Sequence, residues 1–508
     1  MKKLILLFVT NFSIAQVSLV KEINPFSAQT GRIVILENHA YFGSYALGSG
    51  GLLKGGLFKT DGTLSGTVRI TDPNLDIFVK EPTSSGTFVG WSGSNLGGTG
   101  ERPWVYNGVT ASVVGNNSFV QTLHAYNNQI LFAGHTFDEG FELWKINTAG
   151  ESEMVKNLPG VGPNNTITPS MFVNHSDGFA YFLGWADNAP CALWKTNGTT
   201  AGTTKVKDVP YMNKLYSAGA NLYLFGPNSG PYTGNYKLWV SDGTTAGTVV
   251  VKDFNPAGYP VHSDAYTFDN RLFFSLDDGI NGKELWFSDG TTAGTQMVAD
   301  INPGAAPSNA TALGHVGGAL YVAANNGSIG PALYKIGSNP LVIVNGIPHY
   351  SFTLVKDINT VSDATSYFNT GIAFQNKFYF PAGDGGTNTE LWRTDGTLAG
   401  TEKLGTTVAP KGFCVLNNIL LFGSYNETSW NFDLYKYQDP SFVPCQNTVS
   451  YQGIATDVLY EANNSIVSIH TVPALPNFTI YKAKAITLNP GFRTESGAKF
   501  TTISAGCQ

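Results

Sequence analysis

Apolar residues fall along this chain in short bursts separated by polar turns. The clearest are Leu222-Tyr-Leu-Phe225, Leu272-Phe-Phe-Ser275, Leu320-Tyr-Val322, Lys377-Phe-Tyr-Phe380 and Ile419-Leu-Leu-Phe422. A Gly/Asn/Asp-rich loop follows each burst, as at Asp277-Asp-Gly-Ile-Asn-Gly282, and then a Leu-Trp segment. Downstream lies a further β-prone run such as Val250-Val-Lys-Asp-Phe254 or Met297-Val-Ala-Asp-Ile301, and before the next burst a short segment like Ala265-Tyr-Thr-Phe268. Aromatic and β-branched runs bounded by turn residues predict strands, four to a unit. A helical period is not sustained anywhere.

The unit is a repeat. Leu57-Phe-Lys-Thr-Asp-Gly-Thr-Leu-Ser-Gly-Thr67 returns, nearly unchanged, at 193–203, 238–248, 285–295 and 391–401. Weaker copies centre on Trp104, Leu143, Leu333 and Leu434. Taking 57, 104, 143, 193, 238, 285, 333, 391 and 434 as markers gives nine units spaced 39 to 58 residues apart. Four-stranded units at about 40–50 residues indicate a β-propeller. The count is nine, or eight if the irregular stretch 86–115 is not a unit. The last unit stops at Leu434-Tyr-Lys-Tyr437 without its downstream strand, and that strand stands at the other end of the chain, as Val17-Ser-Leu-Val-Lys-Glu-Ile-Asn-Pro25. It matches Thr353-Leu-Val-Lys-Asp-Ile-Asn359, so the N-terminal strand is expected to close the last blade. A ring needs such a stitch and an open solenoid does not. The chain is therefore read as all-β, with a propeller over 17–440 and a small C-terminal β-module over 441–508.

Gly takes positive φ freely, and Asp or Asn bonds the backbone two residues on. The repeated Asp61, Asp242, Asp289 and Asp395 therefore read as turn residues, and Asn197 fills the same place once. A turn tolerates that exchange; acid–base chemistry does not.

Composition narrows the picture. Only 13% of the 508 residues are charged, Gly numbers 58, and the net charge is −6, so nothing marks a nucleic-acid surface. Residues 1–16 read as a signal peptide: Lys2 and Lys3, the apolar Leu4–Val9, and the small-x-small Ser13-Ile-Ala15. The apolar run is shorter than the ~20 residues a membrane span needs, so an exported chain without a membrane span is expected, secreted or at the cell surface. Of four cysteines, Cys191 and Cys414 fit buried core positions. Cys445 and Cys507 bracket the tail, where an exported protein permits a disulfide.

The segments Glu284-Leu-Trp-Phe-Ser-Asp-Gly-Thr291 and Glu390-Leu-Trp-Arg-Thr-Asp-Gly-Thr397 resemble the Glu-Leu-Trp-x-x-Asp-Gly-Thr repeat of exported and surface proteins of Bacteroidota-type bacteria. The resemblance covers about residues 17–440. The Ser-Asp-Gly-Thr turn is also loosely similar to the Asp-box turn of sialidase-like propellers, a structural element that brings no arginine triad. The tail looks like a C-terminal β-module of the same exported proteins, which implies retention at the envelope or a spacer.

No catalytic motif emerges. Gly90-Trp-Ser-Gly-Ser94 fails the nucleophile-elbow pattern at its last position. The histidines are scattered, with no His-Glu-x-x-His. No cofactor is implied. Asp277, Asp278, Asn281 and Glu284 offer calcium a set of oxygen ligands, against the alternative of a plain hairpin turn. The loops between the second and third strands carry Trp91, Phe137, Trp185, Tyr232 and Trp430, aromatics able to stack on a ligand. The expectation is a non-catalytic repeat protein that binds a glycan or an extracellular protein, or scaffolds the cell surface. A glycoside hydrolase or lyase, or a calcium-dependent adhesin, stands as the alternative.

Overall fold

The computed structural model describes residues 16–24, 32–47, 53–72, 77–95, 100–158, 167–185, 191–227, 236–254, 265–337, 342–344, 347–359, 368–385, 389–404, 409–426 and 431–438, together with strands between 448 and 503. Residues 1–15 of the expected signal peptide lie outside the described residues, and Gln16, its last residue, opens a strand.

Gln16–Tyr437 form one compact unit. It contains nine four-stranded antiparallel sheets, and among the described residues no α-helix. The irregular stretch 86–115 belongs to a complete blade, Ile77–Ser85, Phe88–Asn95, Arg102–Tyr106 and Ala111–Val113, which settles the count at nine. The sheets are numbered here as blades 1 to 9 from Ile33 onward. In each, the first strand in sequence pairs on one side only. These first strands touch one another in series, and Pro410–Leu416 of blade 9 touches Ile33–Leu36 of blade 1. They form the innermost ring, around a central channel.

Closure follows the sequence expectation. Gln16–Asn24 is the outermost strand of blade 9, paired with Asn431–Gln438. Val20 and Leu434 then share a core with Ile33, Ala40 and Phe42 of blade 1. The other cores also lie between blades: Phe88 and Val105 of blade 2 pack with Val120, Ile130 and Phe132 of blade 3. A second strand such as Asn221–Pro227 sits between two neighbouring blades and is buried on both faces, so its apolar run is continuous rather than alternating. Each such side chain contributes about 1.5–3 kcal/mol of burial.

The Asp-Gly-Thr motif is a turn between third and fourth strands. In blade 5, Asp242 Oδ1 accepts from Thr244 N at 2.9 Å and Thr244 Oγ1 at 2.7 Å. Ser241 Oγ accepts from Gly243 N at 3.1 Å and lies 2.7 Å from Thr248 Oγ1. The same bonds recur about Asp61, Asp289 and Asp395, and Asn197 Oδ1 reproduces them in blade 4. The last threonine's carbonyl takes a lysine from the preceding blade: Lys156 to Thr203 O at 2.6 Å, Lys207 to Thr248 O at 2.6 Å, Lys356 to Thr401 O at 2.9 Å. A second lysine takes the Gly carbonyl, as Lys145 to Gly198 O at 2.9 Å and Lys335 to Gly396 O at 2.7 Å. Blade 9 makes both bonds to blade 1, through Lys21 to Thr67 O at 2.7 Å and Lys436 to Gly62 O at 3.2 Å. The repeat is thus a turn and a docking point for the blade before it.

The glutamate of Glu-Leu-Trp works on the opposite face, where blades connect. Glu284 is fully buried, and its carboxylate accepts from the backbone N–H groups of Ile301, Asn302 and Ser308 at 3.1, 3.4 and 3.1 Å. Glu142, also buried, accepts from Leu158 N. Burial pushes the Glu284 carboxyl up and the Glu142 carboxyl up to about 8.

The C-terminal unit is built differently. Thr448–Ile454, Ser465–Val472 and Ala485–Leu488 pair in parallel, as do Leu459–Glu461, Phe478–Lys482 and Lys499–Ile503. The chain alternates between these two parallel sheets. The proposed Cys445–Cys507 pair lies outside the described residues. Cys191 and Cys414 are buried free thiols.

Candidate functional site

The loop aromatics separate on the structure. Trp91 is not in a loop: it lies within Phe88–Asn95, fully buried, its ring 5.9 Å from that of Trp104 and nearly parallel to it. Its place in the blade 1–2 core corrects the expectation of a ligand contact. Trp185 ends its strand half-buried against the blade 4–5 core. Phe137 is exposed on the loop of blade 3. Tyr232 and Trp430 lie outside the described residues.

The four oxygen-bearing residues of 277–284 do not converge. Asp278 Oδ1 accepts from Ile280 N and Asn281 N, and its other oxygen accepts from Asn281 Nδ2, forming a closed Asx turn. Glu284 turns inward to the backbone donors already described. Among the described residues no group of three His, Cys, Asp or Glu side chains could hold a metal ion.

What the sequence reading missed is on the innermost ring. Five first strands carry a β-bulge: those of blades 2, 3, 4, 7 and 9. In blades 2, 3 and 4 the bulge holds a non-glycine residue in the left-handed region: Glu81 at φ 46°, Thr122 at φ 50° and Met171 at φ 53°. Each costs on the order of 1–3 kcal/mol and persists only where the surroundings enforce it. Bulges of this kind re-aim side chains beside functional sites. In three adjacent blades they form one arc on the channel wall, where Glu81, Gln121 and Met171 are exposed. No short motif announces these bulges, because the inner strands vary from copy to copy.

Polar groups tie the arc together. Lys80 and Ser92 stand opposite each other across two strands of blade 2, and Glu101 takes both, at 2.5 Å and 3.0 Å. Ser92 is buried in mid-strand, so it is not a nucleophile elbow. Between blades 3 and 4, His124 Nε2 lies 2.8 Å from Asn174 Oδ1, while Asn174 Nδ2 donates to Ala125 O at 3.0 Å. With that amide so oriented, Nε2 carries the proton and Nδ1 keeps the lone pair. Burial, with a smaller contribution from Arg32, holds the His124 imidazole below its ordinary value, hence neutral at neutral pH. Further round, His175 Nδ1 lies 2.8 Å from Ser217 Oγ, and Tyr266 OH lies 2.9 Å from His315 Nδ1. Among the described residues no imidazole is hydrogen-bonded to a carboxylate, so a Ser–His–Asp relay is not assembled there. At the blade 9 bulge, Pro410, Lys411, Gly412 and Phe413 face Asn369–Ile372 of blade 8 across a cavity of about 320 Å³.

No protein-family model matches this chain, and no curated protein matches it. Solved structures do. A puromycin-hydrolysing peptidase of Mycobacterium tuberculosis is 10% identical with a TM-score of 0.40, aligned over 87% of this chain and 65% of its own. An acylaminoacyl peptidase of Pyrococcus horikoshii is 12% identical with a TM-score of 0.37, over 86% and 62%. The propeller domain of the Trilobed protease of Pyrococcus furiosus is 10% identical with a TM-score of 0.36, over 71% and 93%. The chain thus spans about 65% of the length of the first of these. These neighbours are peptidases, which is at odds with the expected non-catalytic glycan or protein binder, and that expectation is not carried further. At these TM-scores the likeness carries no argument about this chain.

Proposed function

We propose that this protein acts on peptides, and that its propeller admits an extended peptide segment to the channel along the arc of blades 2 to 4. The observation that carries this reading is the run of left-handed bulges at Glu81, Thr122 and Met171. Two further features support it. Each inner strand is paired on one side only and borders the channel with its other edge, and such edges recognise extended chains through main-chain bonds. The arc carries the exposed carboxylate of Glu81, and its Lys80 is taken up by Glu101, which suits a peptide better than a phosphate polymer. The exposed Gln121 supplies a hydrogen-bonding side chain, and Met171 an adaptable apolar contact.

The test is fluorescence anisotropy with a labelled unstructured peptide. At ~3.3 Å per residue, about 8 residues match the length of an inner strand of blades 2 to 4. Saturable binding is expected, weakened about tenfold or more by Met171→Arg, which places a bulky charge on the arc. The same mixture, followed by mass spectrometry, reports any cleavage. A peptide that does not bind, or that binds Met171→Arg equally well, sinks the reading.

A further inference from the structure

On the connection face of blade 3, at the channel rim, stands a cluster that the inner arc does not use. His135, near the end of Gln129–Thr136, is surrounded by three phenyl rings. Phe119, Phe137 and Phe141 lie 5.8, 6.1 and 5.0 Å from it, at interplanar angles of 79°, 85° and 65°. The imidazole is held in place: Ser118 Oγ lies 2.9 Å from Nδ1, and Ser118 N donates to the His135 carbonyl at 2.9 Å. Phe137 is 89% exposed and Phe119 42%. A lone exposed phenyl is ordinary, but rings held steeply around one fixed centre form walls with open faces.

The charge beside these walls has one sign. Asp138 and Glu139 follow Phe137 directly, and both are exposed. Among the described residues neither carboxylate has a basic partner. Aromatic faces are negative, so they attract cations, and adjacent carboxylates add to that attraction. A planar guanidinium fits best, because it stacks on a ring while its N–H fork meets a carboxylate.

We propose that the Phe119–Phe137–His135 cluster with Asp138 and Glu139 is a binding site for an arginine side chain of the peptide that enters the channel. The peptide as occupant rests on the function proposed above; the affinity for guanidinium rests on this site alone. The site would give the ring a preference for basic sequences at one rim.

The test replaces Phe137 by 4-fluorophenylalanine and follows its fluorine resonance during titration with N-acetyl-arginine amide. Phe137 is exposed, so the labelled protein keeps its fold. A saturable shift is expected, with N-acetyl-citrulline amide, which lacks the charge, binding about tenfold more weakly. The double variant Asp138→Asn/Glu139→Gln should weaken the arginine compound about threefold to fivefold. No shift with the arginine compound overturns the proposal, as does equal binding of the two compounds. Because the probe is a single amino acid, this outcome does not depend on whether the channel takes peptides.

Discussion

Replacing Glu142 by Gln removes an ionisable group from a buried place without removing its shape. In the folded protein burial raises this carboxyl from the ordinary 4.5 to about 8, against a single backbone donor, Leu158 N, and with the charge of Glu139 pushing the same way. Between those values the folded chain keeps a proton that the unfolded chain has lost. The contribution of Glu142 to stability is therefore fully present below pH 4.5 and is lost as pH rises through 8. At 1.36 kcal/mol per pKa unit the full loss is about 5 kcal/mol, and local relaxation and screening reduce it to roughly 2–3 kcal/mol. Glu142→Gln keeps an acceptor for Leu158 N at every pH. The expected result is near-equal stability of the two proteins at pH 5 and an advantage for the variant at pH 8.5. For a chain of this size that advantage is about 2–5 °C in thermal midpoint. Paired thermal melts across that range measure it. A difference that does not change with pH, or a variant that loses ground as pH rises, refutes the reasoning.

Three other outcomes follow from the same geometry. Asp242→Asn should leave the melt nearly unchanged, as Asn197 already serves in blade 4, whereas Asp242→Ala loses both bonds to Thr244 and costs about 1–2 kcal/mol; differential scanning calorimetry separates them. The double variant Lys21→Met/Lys436→Met removes both lysine bonds from blade 9 to blade 1, and hydrogen exchange should rise in Gln16–Asn24 before any other strand. Met171→Gly relieves a left-handed residue and should raise the thermal midpoint, by about 0.5–1 kcal/mol in stability, while lowering peptide affinity in the anisotropy assay.

Much of the fold was legible because the repeat constrains local chemistry. The Asp-Gly-Thr turn could be read from its residues, since Gly at positive φ and an Asp bonding two residues on are local effects. Blade closure was legible because Val17–Pro25 restores the strand that the last copy lacks. Trp91 misled because one aromatic in a Gly/Ser-rich stretch looks like a loop, and only pairing with Trp104 reveals a strand buried on both faces. The lysine bonds had a visible signal, the recurring Val-Lys-Asp, but its meaning lies in a contact with the next blade. Glu284 looked like a calcium ligand because its partners, the N–H groups of 301–308, carry no side-chain signature. The arc at Glu81, Thr122 and Met171 had no signal at all: a bulge is a mismatch between two strands, visible only once their register is known.

The most direct test of the channel reading is a photocrosslinking map. A peptide of about 8 residues, bearing a benzophenone at its centre, is irradiated with the full-length protein, and adducts are located by mass spectrometry. Adducts at Met171 and Gln121, suppressed by excess unlabelled peptide, are the expected result. Adducts confined to the Asp-Gly-Thr turns, or spread without competition over the outer strands, contradict it.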